Sequence, residues 1–468
     1  MKNAIQKLQE KSGILMIYLL LFLYFVGKTD FYQQYVGRYP DENIHVAYIA
    51  YLAAENELIP EFKNIYSSLS VSERKKDQLT SVFTLKDTHS NYLGHPPLYY
   101  HLMRLSGGVT IRDGQIYIHL ERLRDASQLI AYLGILLAFY IGFTRLKKPI
   151  SHLIYGTVTV TVPMLAYNTG VNNDVMVFLG VTIVMLAFLR FEEGKRNALS
   201  YWLMAAGVFV SMLSKLTGGL IVAVAIMVYT LLTIKRDKDL SFLLNKRFLV
   251  TIPVYLLILG YFGLIYYRYG TVQPSFDIIN PEGYRQSSFY VPESERVIMK
   301  FGKYADKYWE EFFGTWTGIA SHVSLYKPGT LYSPYRIALI SIMFIPLLAF
   351  WSRRKKVPHK WACLSLYIGT LFAAGYQFYH AYTGYLSNGY PGGYQSRYYL
   401  CALPVIAFLI AGVWEDRTDF HLEAVQEKHK TALSLLGSAC AILFCALLIY
   451  EDFGYFILHF NNYLSPLL

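Results

Sequence analysis

The sequence is poor in charged residues and in repeats. Only 16% of its 468 residues are charged, while 54% are hydrophobic. An average soluble domain is roughly 25% charged, so this composition excludes an ordinary water-soluble enzyme and favours a chain embedded in lipid. No internal repeat is apparent, which removes the usual sequence sign of an inverted-repeat transporter.

Cysteine is also scarce. The four cysteines all fall within or at the edge of apolar runs, and no pair has the spacing of metal ligands. They are Cys363, Cys401, Cys440 and Cys445. We therefore interpret them as small apolar packing residues.

Apolar runs of nearly bilayer-spanning length recur along the chain. A spanning helix needs about 17 to 25 apolar residues, and about eleven segments approach that length. They are 13–27, 126–144, 150–167, 175–190, 201–214, 219–234, 248–267, 335–351, 361–380, 399–414 and 432–450. We predict an all-α polytopic membrane protein in which residues 1–468 form one integral membrane domain. No small-residue cleavage site follows the first run, so we expect it to remain as a helix.

Lysine and arginine collect in alternate connections between these runs. This distribution follows the positive-inside rule if the N-terminus is cytoplasmic. The inside positions include Lys2, Lys7, Lys11, Arg145, Lys147, Lys148, Arg190, Lys195, Arg196, Lys235, Arg236, Lys238, Lys246, Arg247, Arg353, Arg354, Lys355 and Lys356. The short outside connections 168–174 and 381–398 contain only one lysine or arginine between them, which is Arg397. Much of the +11 net charge is explained in this way, so we predict a cell-membrane protein with no nucleic-acid partner.

Two long segments, 28–125 and 268–334, interrupt the apolar runs and are both predicted to be extracytoplasmic. Turn signals and amphipathic patterns alternate in them, so we expect interfacial helices rather than separate domains. The helical patterns are 42–56, 97–105, 115–125 and 293–313. The second segment is either interfacial or a lid.

Polar motifs from distant parts of the sequence fall on the same outer face. Ionisable residues at membrane depth are costly unless they pair or line a cavity, so this gathering predicts a functional site. The motifs are Asp41, Glu42 and His45, then "NYLGHPPLYYHL", "RLRD", "NTGVNND", "SKLTGG" and "GGYQSRYYL".

The motif "PDENIH" carries the candidate base. Pro40 followed by two acids indicates a helix start, and capping alone would explain Asp41. The functional alternative is that Asp41 removes a proton from an acceptor hydroxyl, with Glu42 orienting the acceptor or His45. Glu42 and His45 have the spacing of a metal pair on a helix, but no second clear ligand set accompanies them. We therefore predict no obligatory metal and leave a divalent ion as the open alternative.

Basic residues supply candidate ligands for an anion. Lys215 and Arg397 either extend to lipid headgroups or converge with Arg122 or Arg124 as a phosphate clamp. His95 precedes two prolines at a helix start, a position that suits an anionic group.

Tyr99, which follows the two prolines, is either an interfacial aromatic or a substrate contact. A carboxylate base combined with cationic phosphate ligands predicts transfer from a lipid phosphate.

In their order, the motifs "PDE..H", "HPPLYYHL", "R..D", "NND", "SKLTG" and "YQSRYYLCALP" resemble those of GT-C membrane glycosyltransferases. Within these the sequence is similar to bacterial relatives of the protein O-mannosyltransferase and aminoarabinose transferase group, over about residues 13–415. The resemblance implies a multi-pass enzyme that uses a polyprenyl-phosphate sugar at the extracytoplasmic face, with inversion at the anomeric carbon. The acceptor is then a hydroxyl of a cell-envelope glycan, a glycolipid or a protein.

By the same resemblance, Asp41 is the base and Glu42 is its neighbour in the acceptor site. Arg397, with the adjacent Tyr398, becomes a donor-phosphate ligand, and Asp174 of "NND" orients the site. His95 stands where such enzymes often have Lys, and a neutral imidazole binds phosphate less firmly than an ammonium. Lys215 or Arg122 then compensates.

Two other functions share the same features. A transporter or flippase of a lipid-linked sugar would use a similar basic cavity, but it favours functional residues at mid-membrane and paired broken helices. A polysaccharide polymerase or ligase would share both donor and topology. The position of the charged motifs at one face favours the transferase.

Overall fold

The computed structural model describes most of the chain. The described residues are 2–35, 39–65, 69–73, 80–85, 94–113, 115–162, 165, 169–238, 245–316, 318–320, 323–324, 334–351, 359–423 and 427–453. Helices predominate in these ranges, and the strands lie in the two long segments between apolar runs.

The α-helices, numbered in chain order, are α1 (Lys2–Tyr35), α2 (Glu42–Glu55), α3 (Leu98–Leu105), α4 (Leu120–Arg145), α5 (Pro149–Val160), α6 (Asp174–Glu192), α7 (Ala198–Met212), α8 (Leu216–Asp237), α9 (Lys246–Leu249), α10 (Ile252–Tyr269), α11 (Phe276–Ile279), α12 (Pro281–Gln286), α13 (Phe301–Trp316), α14 (Pro334–Phe344), α15 (Lys360–Asn388), α16 (Leu403–Glu423) and α17 (Glu427–Phe453). Short 3-10 helices cover Phe62–Asn64, Glu293–Glu295, Ile345–Phe350 and Ser396–Ala402.

Each predicted apolar segment contains a helix, which confirms the all-α polytopic class. Among the described residues, 7 helices are long and apolar enough to cross a membrane. These are Lys11–Gln34, Leu120–Arg145, Asp174–Glu192, Leu216–Asp237, Ile252–Tyr269, Ser396–Asp416 and Thr431–Tyr450. Ala198–Met212 and Ile337–Phe350 are shorter apolar helices. The predicted total of about eleven spans therefore includes segments that fall short of this length or hydropathy.

Helix α6 lies at the centre of the membrane domain. Nearly all of its side chains are buried, because α4 and α7 pack directly against it. The contact with α7 depends on small residues: a Cβ added to Gly207 would lie 2.9 Å from the carbonyl oxygen of Gly180. Close backbone approach of this kind is typical of packed membrane helices. The central position of α6 fixes where its first residue, Asp174, emerges.

The first long segment combines two short helices with a sheet. Helices α2 and α3 match the predicted patterns at 42–56 and 97–105. The predicted helix at 115–125 is wrong in its first half, because residues 115–119 form a strand. Ile116 and Ile118 are buried on one face of that strand, and this alternation is the two-residue period of a strand.

The sheet is antiparallel, with strand order β1-β2-β4-β3. Its strands are β1 (Leu69–Glu73), β2 (Thr80–Leu85), β3 (Val109–Arg112) and β4 (Gln115–His119). A small hairpin of β5 (Gly318–Ala320) and β6 (Val323–Ser324) follows α13.

The second long segment begins its main helix later than the sequence indicates. The pattern at 293–313 predicts one amphipathic helix, whereas the structure has a 3-10 turn and then α13 from Phe301. The backbone between the 3-10 turn and α13 forms hydrogen bonds with a side chain of α15 instead of the hydrogen bonds of a helix. The Tyr385 hydroxyl donates to the carbonyl of Val297 at 2.9 Å and accepts from the amide of Met299 at 2.7 Å.

The first and last membrane helices are joined by a buried ion pair. Lys28 Nζ on α1 lies 2.7 Å and 2.5 Å from the two carboxylate oxygens of Asp452 on α17, and the Tyr24 hydroxyl donates to the same carboxylate at 2.5 Å. Removing one partner of such a pair leaves an uncompensated charge in lipid.

We predict that Lys28→Met lowers the free energy of unfolding by about 3–5 kcal/mol because Asp452 is then buried without its cation. Thermal unfolding in detergent measures the loss. The matched control is the double variant Lys28→Met with Asp452→Leu, which should recover most of it. Wild-type stability of the single variant would contradict this assignment.

Candidate active site

Polar residues from four parts of the chain meet at the N-terminal ends of helices. Asp174 is the first residue of α6, Lys215 immediately precedes α8, and Asp41 immediately precedes α2. Arg397 lies in the 3-10 helix Ser396–Ala402 that leads into α16. We refer to these four residues as the charge cluster.

The charge cluster is a continuous chain of two acids and two bases. The Arg397 guanidinium donates through Nη2 to the Asp41 carboxylate. Arg397 Nε lies 4.0 Å from Asp174 Oδ2, and Lys215 Nζ lies 2.5 Å from Asp174 Oδ1. Arg397, Asp174 and Lys215 are all at most 5% exposed. Each buried charge therefore has an opposite charge beside it.

Asp41 takes part in this cluster because its side chain does not cap α2. Its backbone adopts the left-handed conformation, with φ 57°, and its carbonyl oxygen accepts from the amides of Ile44 and His45 at 3.0 Å and 3.1 Å. The side chain makes no capping hydrogen bond. Helix capping, the simpler explanation considered from the sequence, is therefore wrong for the Asp41 carboxylate, which is directed to Arg397.

Glu42 has a different partner. Its Oε1 accepts from Arg124 Nε at 3.0 Å and from the Val171 amide at 3.1 Å, and its Oε2 accepts from Arg124 Nη2 at 2.6 Å. Glu42 is the first residue of α2, whereas Asp41 lies outside the helix with a left-handed backbone, so the two side chains have different partners. Glu42 and Arg124 thus fix the loop before α6, in contrast to the acceptor and phosphate contacts predicted for them.

The "NND" and "SKLTG" motifs are joined by backbone contacts that position Asp174. The Asn173 side-chain amide donates to the Ser214 carbonyl at 2.8 Å. The Asp174 amide donates to the Asn172 side-chain oxygen at 2.9 Å. These bonds hold the ends of α6 and α8 together, so Asp174 and Lys215 meet.

The cluster contains polar atoms that lack a hydrogen-bond partner within the described chain. Arg397 Nε and Asp174 Oδ2 are buried in this state. Tyr398 lies beside both cations: its ring centroid is 4.3 Å from Lys215 Nζ and 5.5 Å from Arg397 Cζ. Buried polar atoms are normally bonded, so the free Nε–H of Arg397 marks a place for an acceptor from a ligand.

A group of neutral aromatic residues adjoins Asp41. His45 Nδ1 lies 2.9 Å from the Tyr100 hydroxyl, and the His45 and His95 rings stack at 6.3 Å. Burial lowers the pKa of His45 to about 3 despite the opposing effect of Asp41, and Arg397 lowers it further. Burial, followed by the charge of Lys215, lowers the pKa of His95 well below its ordinary value. Both imidazoles are therefore neutral at physiological pH.

Arg122 and Tyr99, two further predicted site residues, have other surroundings. Arg122 is exposed on α4, because residues two apart on a helix point to nearly opposite sides and Arg124 is the one turned inward. Tyr99 is fully buried, and its hydroxyl lies 3.1 Å from Ser127 Oγ. It therefore braces α3 against α4 away from the cations.

The Glu-x-x-His pair does not form a ligand pair. Glu42 is committed to Arg124, while His45 bonds Tyr100. No group of three His, Cys, Asp or Glu side chains suited to a metal occurs in the part of the chain that the structure describes.

Sequence reasoning missed Tyr100, Asn172 and Asn173 as supporting residues. Tyr100 belongs to the quoted "HPPLYYHL" motif and both asparagines belong to the quoted "NND" motif. The partners of Tyr100 and Asn173, which are His45 and Ser214, lie far along the chain, so no local signal identifies them. Asn172 bonds to the nearby amide of Asp174, and its place in "NND" is the signal that could have found it.

A small, mostly apolar cavity reaches Asp174 from the interior of the membrane domain. It lies between α1, α4 and α6. Its lining is Phe25, Ala131, Ile135, Leu165, Thr169, Asp174, Val175, Phe178 and Leu400.

No protein-family model and no curated protein matches the sequence. Among solved structures, ArnT from Cupriavidus metallidurans bound to undecaprenyl phosphate is similar at a TM-score of 0.49 and 13% identity, over 96% of this chain and 76% of that chain. The apo state of ArnT gives 0.49 and 15%, over 95% and 75%. Likenesses at this identity and TM-score do not establish a shared family or activity.

We predict that the stability of the protein falls as pH decreases below about 6.5. In that range His45 and His95 bind protons in the unfolded chain but stay neutral in the folded protein, so protons favour unfolding. His45 contributes a loss of about 1.4 kcal/mol per pH unit within the window from 6.5 to 3. Thermal unfolding at pH 7.5 and 5.5 measures it.

The variant His45→Phe should be less stable at pH 7.5, since Tyr100 loses its partner, but should lose less stability between the two pH values. An unchanged pH slope in this variant would show that His45 is not the titrating group.

Proposed function

We propose that the protein is a membrane glycosyltransferase that moves a sugar from a polyprenyl-phosphate donor to a hydroxyl of an extracytoplasmic acceptor. The observation that carries the proposal is the charge cluster, which combines one carboxylate suited to act as a base with two buried cations. Tyr398 lies beside both cations. Sugar transfer from a lipid phosphate needs these elements in one place.

The cations and helix ends together favour an anion. Lys215 and Arg397 are supplied by the N-terminal ends of α8 and of the 3-10 helix before α16. Helix N-termini carry partial positive charge and exposed amides, which attract phosphate groups. Arg397 has an Nε–H without an acceptor among the described residues, which a phosphate oxygen would satisfy.

The phosphate is the leaving group of the proposed reaction. Cations stabilise the negative charge that develops on it, so protonation by an acid is not required. Asp41 takes the proton of the acceptor hydroxyl as the acceptor oxygen attacks the anomeric carbon. The bond from that carbon to the phosphate oxygen breaks, and polyprenyl phosphate leaves with inversion. Asp174 orients Lys215, to which it bonds at 2.5 Å.

The lipid part of the donor would lie outside the helix packing. The apolar cavity between α1, α4 and α6 ends at Asp174 but is too small for an isoprenoid chain. We therefore expect that chain to stay in the bilayer beside the helices, with its phosphate at the charge cluster. The segments 28–125 and 268–334 would admit the acceptor from the extracytoplasmic side.

The neutral histidines fit this division of roles. His95 is uncharged, so Lys215 and Arg397 would neutralise the charge of the phosphate. His45 and His95 present stacked rings next to Asp41, a surface suited to a sugar or its acceptor rather than to phosphate.

The proposal is tested with purified protein, a radiolabelled polyprenyl-phosphate sugar and membrane extract. We expect Asp41→Asn and Arg397→Ala each to reduce transfer by at least about 100-fold, because one removes the base and the other a phosphate ligand. The control is Asp125→Asn, which removes an exposed carboxylate on α4 and should transfer normally. Wild-type rates in both site variants would refute the assignment.

Metal dependence is tested in the same assay. We expect a chelator to leave the rate unchanged, since Lys215 and Arg397 neutralise the leaving phosphate. A loss of transfer that added divalent metal restores would refute this expectation.

A further inference from the structure

We infer that pairing with Arg397 keeps Asp41 from acting as a base, and that the donor phosphate releases Asp41 by taking over the guanidinium. The inference rests on the proposed function, and it adds an order to the reaction: the donor must bind before Asp41 can accept the proton of the acceptor. A single side chain, Arg397, would thereby couple the two substrates.

The geometry gives Arg397 two competing partners. Its Nη2 is committed to the Asp41 carboxylate, and its Nη1 reaches the Pro40 carbonyl only at 3.4 Å. Its Nε lacks a hydrogen-bond acceptor and faces Asp174 Oδ2 at 4.0 Å. A phosphate that accepts from Nε would form the bidentate arrangement that guanidinium favours only if it also accepts from an Nη group. That second contact competes with Asp41.

The charge balance points in the same direction. The cluster is neutral, with Asp41 and Asp174 opposed by Arg397 and Lys215. A phosphate adds negative charge to a site in which Arg397, Asp174 and Lys215 are almost completely buried and Asp41 is partly buried. The resulting repulsion between phosphate and Asp41 weakens the Asp41–Arg397 pair. Lys215 stays close to Asp174, so Arg397 is the cation that can change partner.

The backbone of Asp41 permits a clean test. Its φ of 57° is in the left-handed region, which Asn and Gly adopt readily. Asp41→Asn and Asp41→Gly therefore remove the carboxylate without straining the start of α2. Both leave Arg397 without its present partner.

The experiment measures dissociation constants for undecaprenyl monophosphate, the product form of the donor lipid, with full-length protein in lipid nanodiscs. Because the carboxylate competes with phosphate, both Asp41 variants should bind about tenfold more tightly than wild type, although they transfer no sugar. The matched control Asp125→Asn removes an exposed negative charge from α4 and should bind like wild type. In an Arg397→Ala background, Asp41→Asn should give a clearly smaller gain, because only the relief of charge repulsion is then left.

The outcomes separate the two proposals. If wild type binds the lipid but the Asp41 variants bind equally or more weakly, the release of Asp41 is refuted while the proposed function stands. A gain of the same size in the Arg397→Ala background also refutes it, because Arg397 is then not the shared partner. If wild type does not bind the lipid at all, both proposals fail.

Discussion

Charge pairing in a poorly hydrated interior is the constraint on which the site depends. A lone buried charge is costly in such a medium, so every cation that enters it needs an anion within reach. The charge cluster satisfies this with Asp41, Arg397, Asp174 and Lys215 drawn from four separate parts of the chain. The pairing holds the ends of α2, α6 and α8 next to the 3-10 helix that leads into α16. The same four side chains therefore fix the packing of these helix ends and form the candidate site.

The same constraint governs two other contacts of the domain. Lys28 and Asp452 join the first and last membrane helices, and Glu42 and Arg124 hold the loop before α6. These pairs are fully matched, with several hydrogen bonds each. The charge cluster differs because Arg397 Nε and Asp174 Oδ2 remain without hydrogen bonds in the described residues. Such atoms occur elsewhere in the described residues, so it is their combination with two buried cations that supports a ligand site.

The sequence predicts the membrane helices well because hydropathy is a local property, readable within a window of one helix. It also identifies Asp41, Lys215 and Arg397 as candidates, since charges beside apolar runs stand out. The sequence does not predict which charged residues form ion pairs with each other. Asp41 and Arg397 are 356 residues apart, and nothing local distinguishes the inward Arg124 from the exposed Arg122. The strand at 115–119 was not predicted for a related reason: its conformation depends on pairing with β2 and β3.

The same charge accounting explains why a histidine can stand at position 95. Burial keeps His95 neutral, so the two carboxylates Asp41 and Asp174 balance the two cations Arg397 and Lys215. A lysine at position 95 would bring a third positive charge to the charge cluster without a third carboxylate in the cluster, and that unpaired charge would cost stability. In the proposed function, Lys215 supplies a cation for the phosphate and already has Asp174 as its partner, so the imidazole ring of His95 is left to face the sugar.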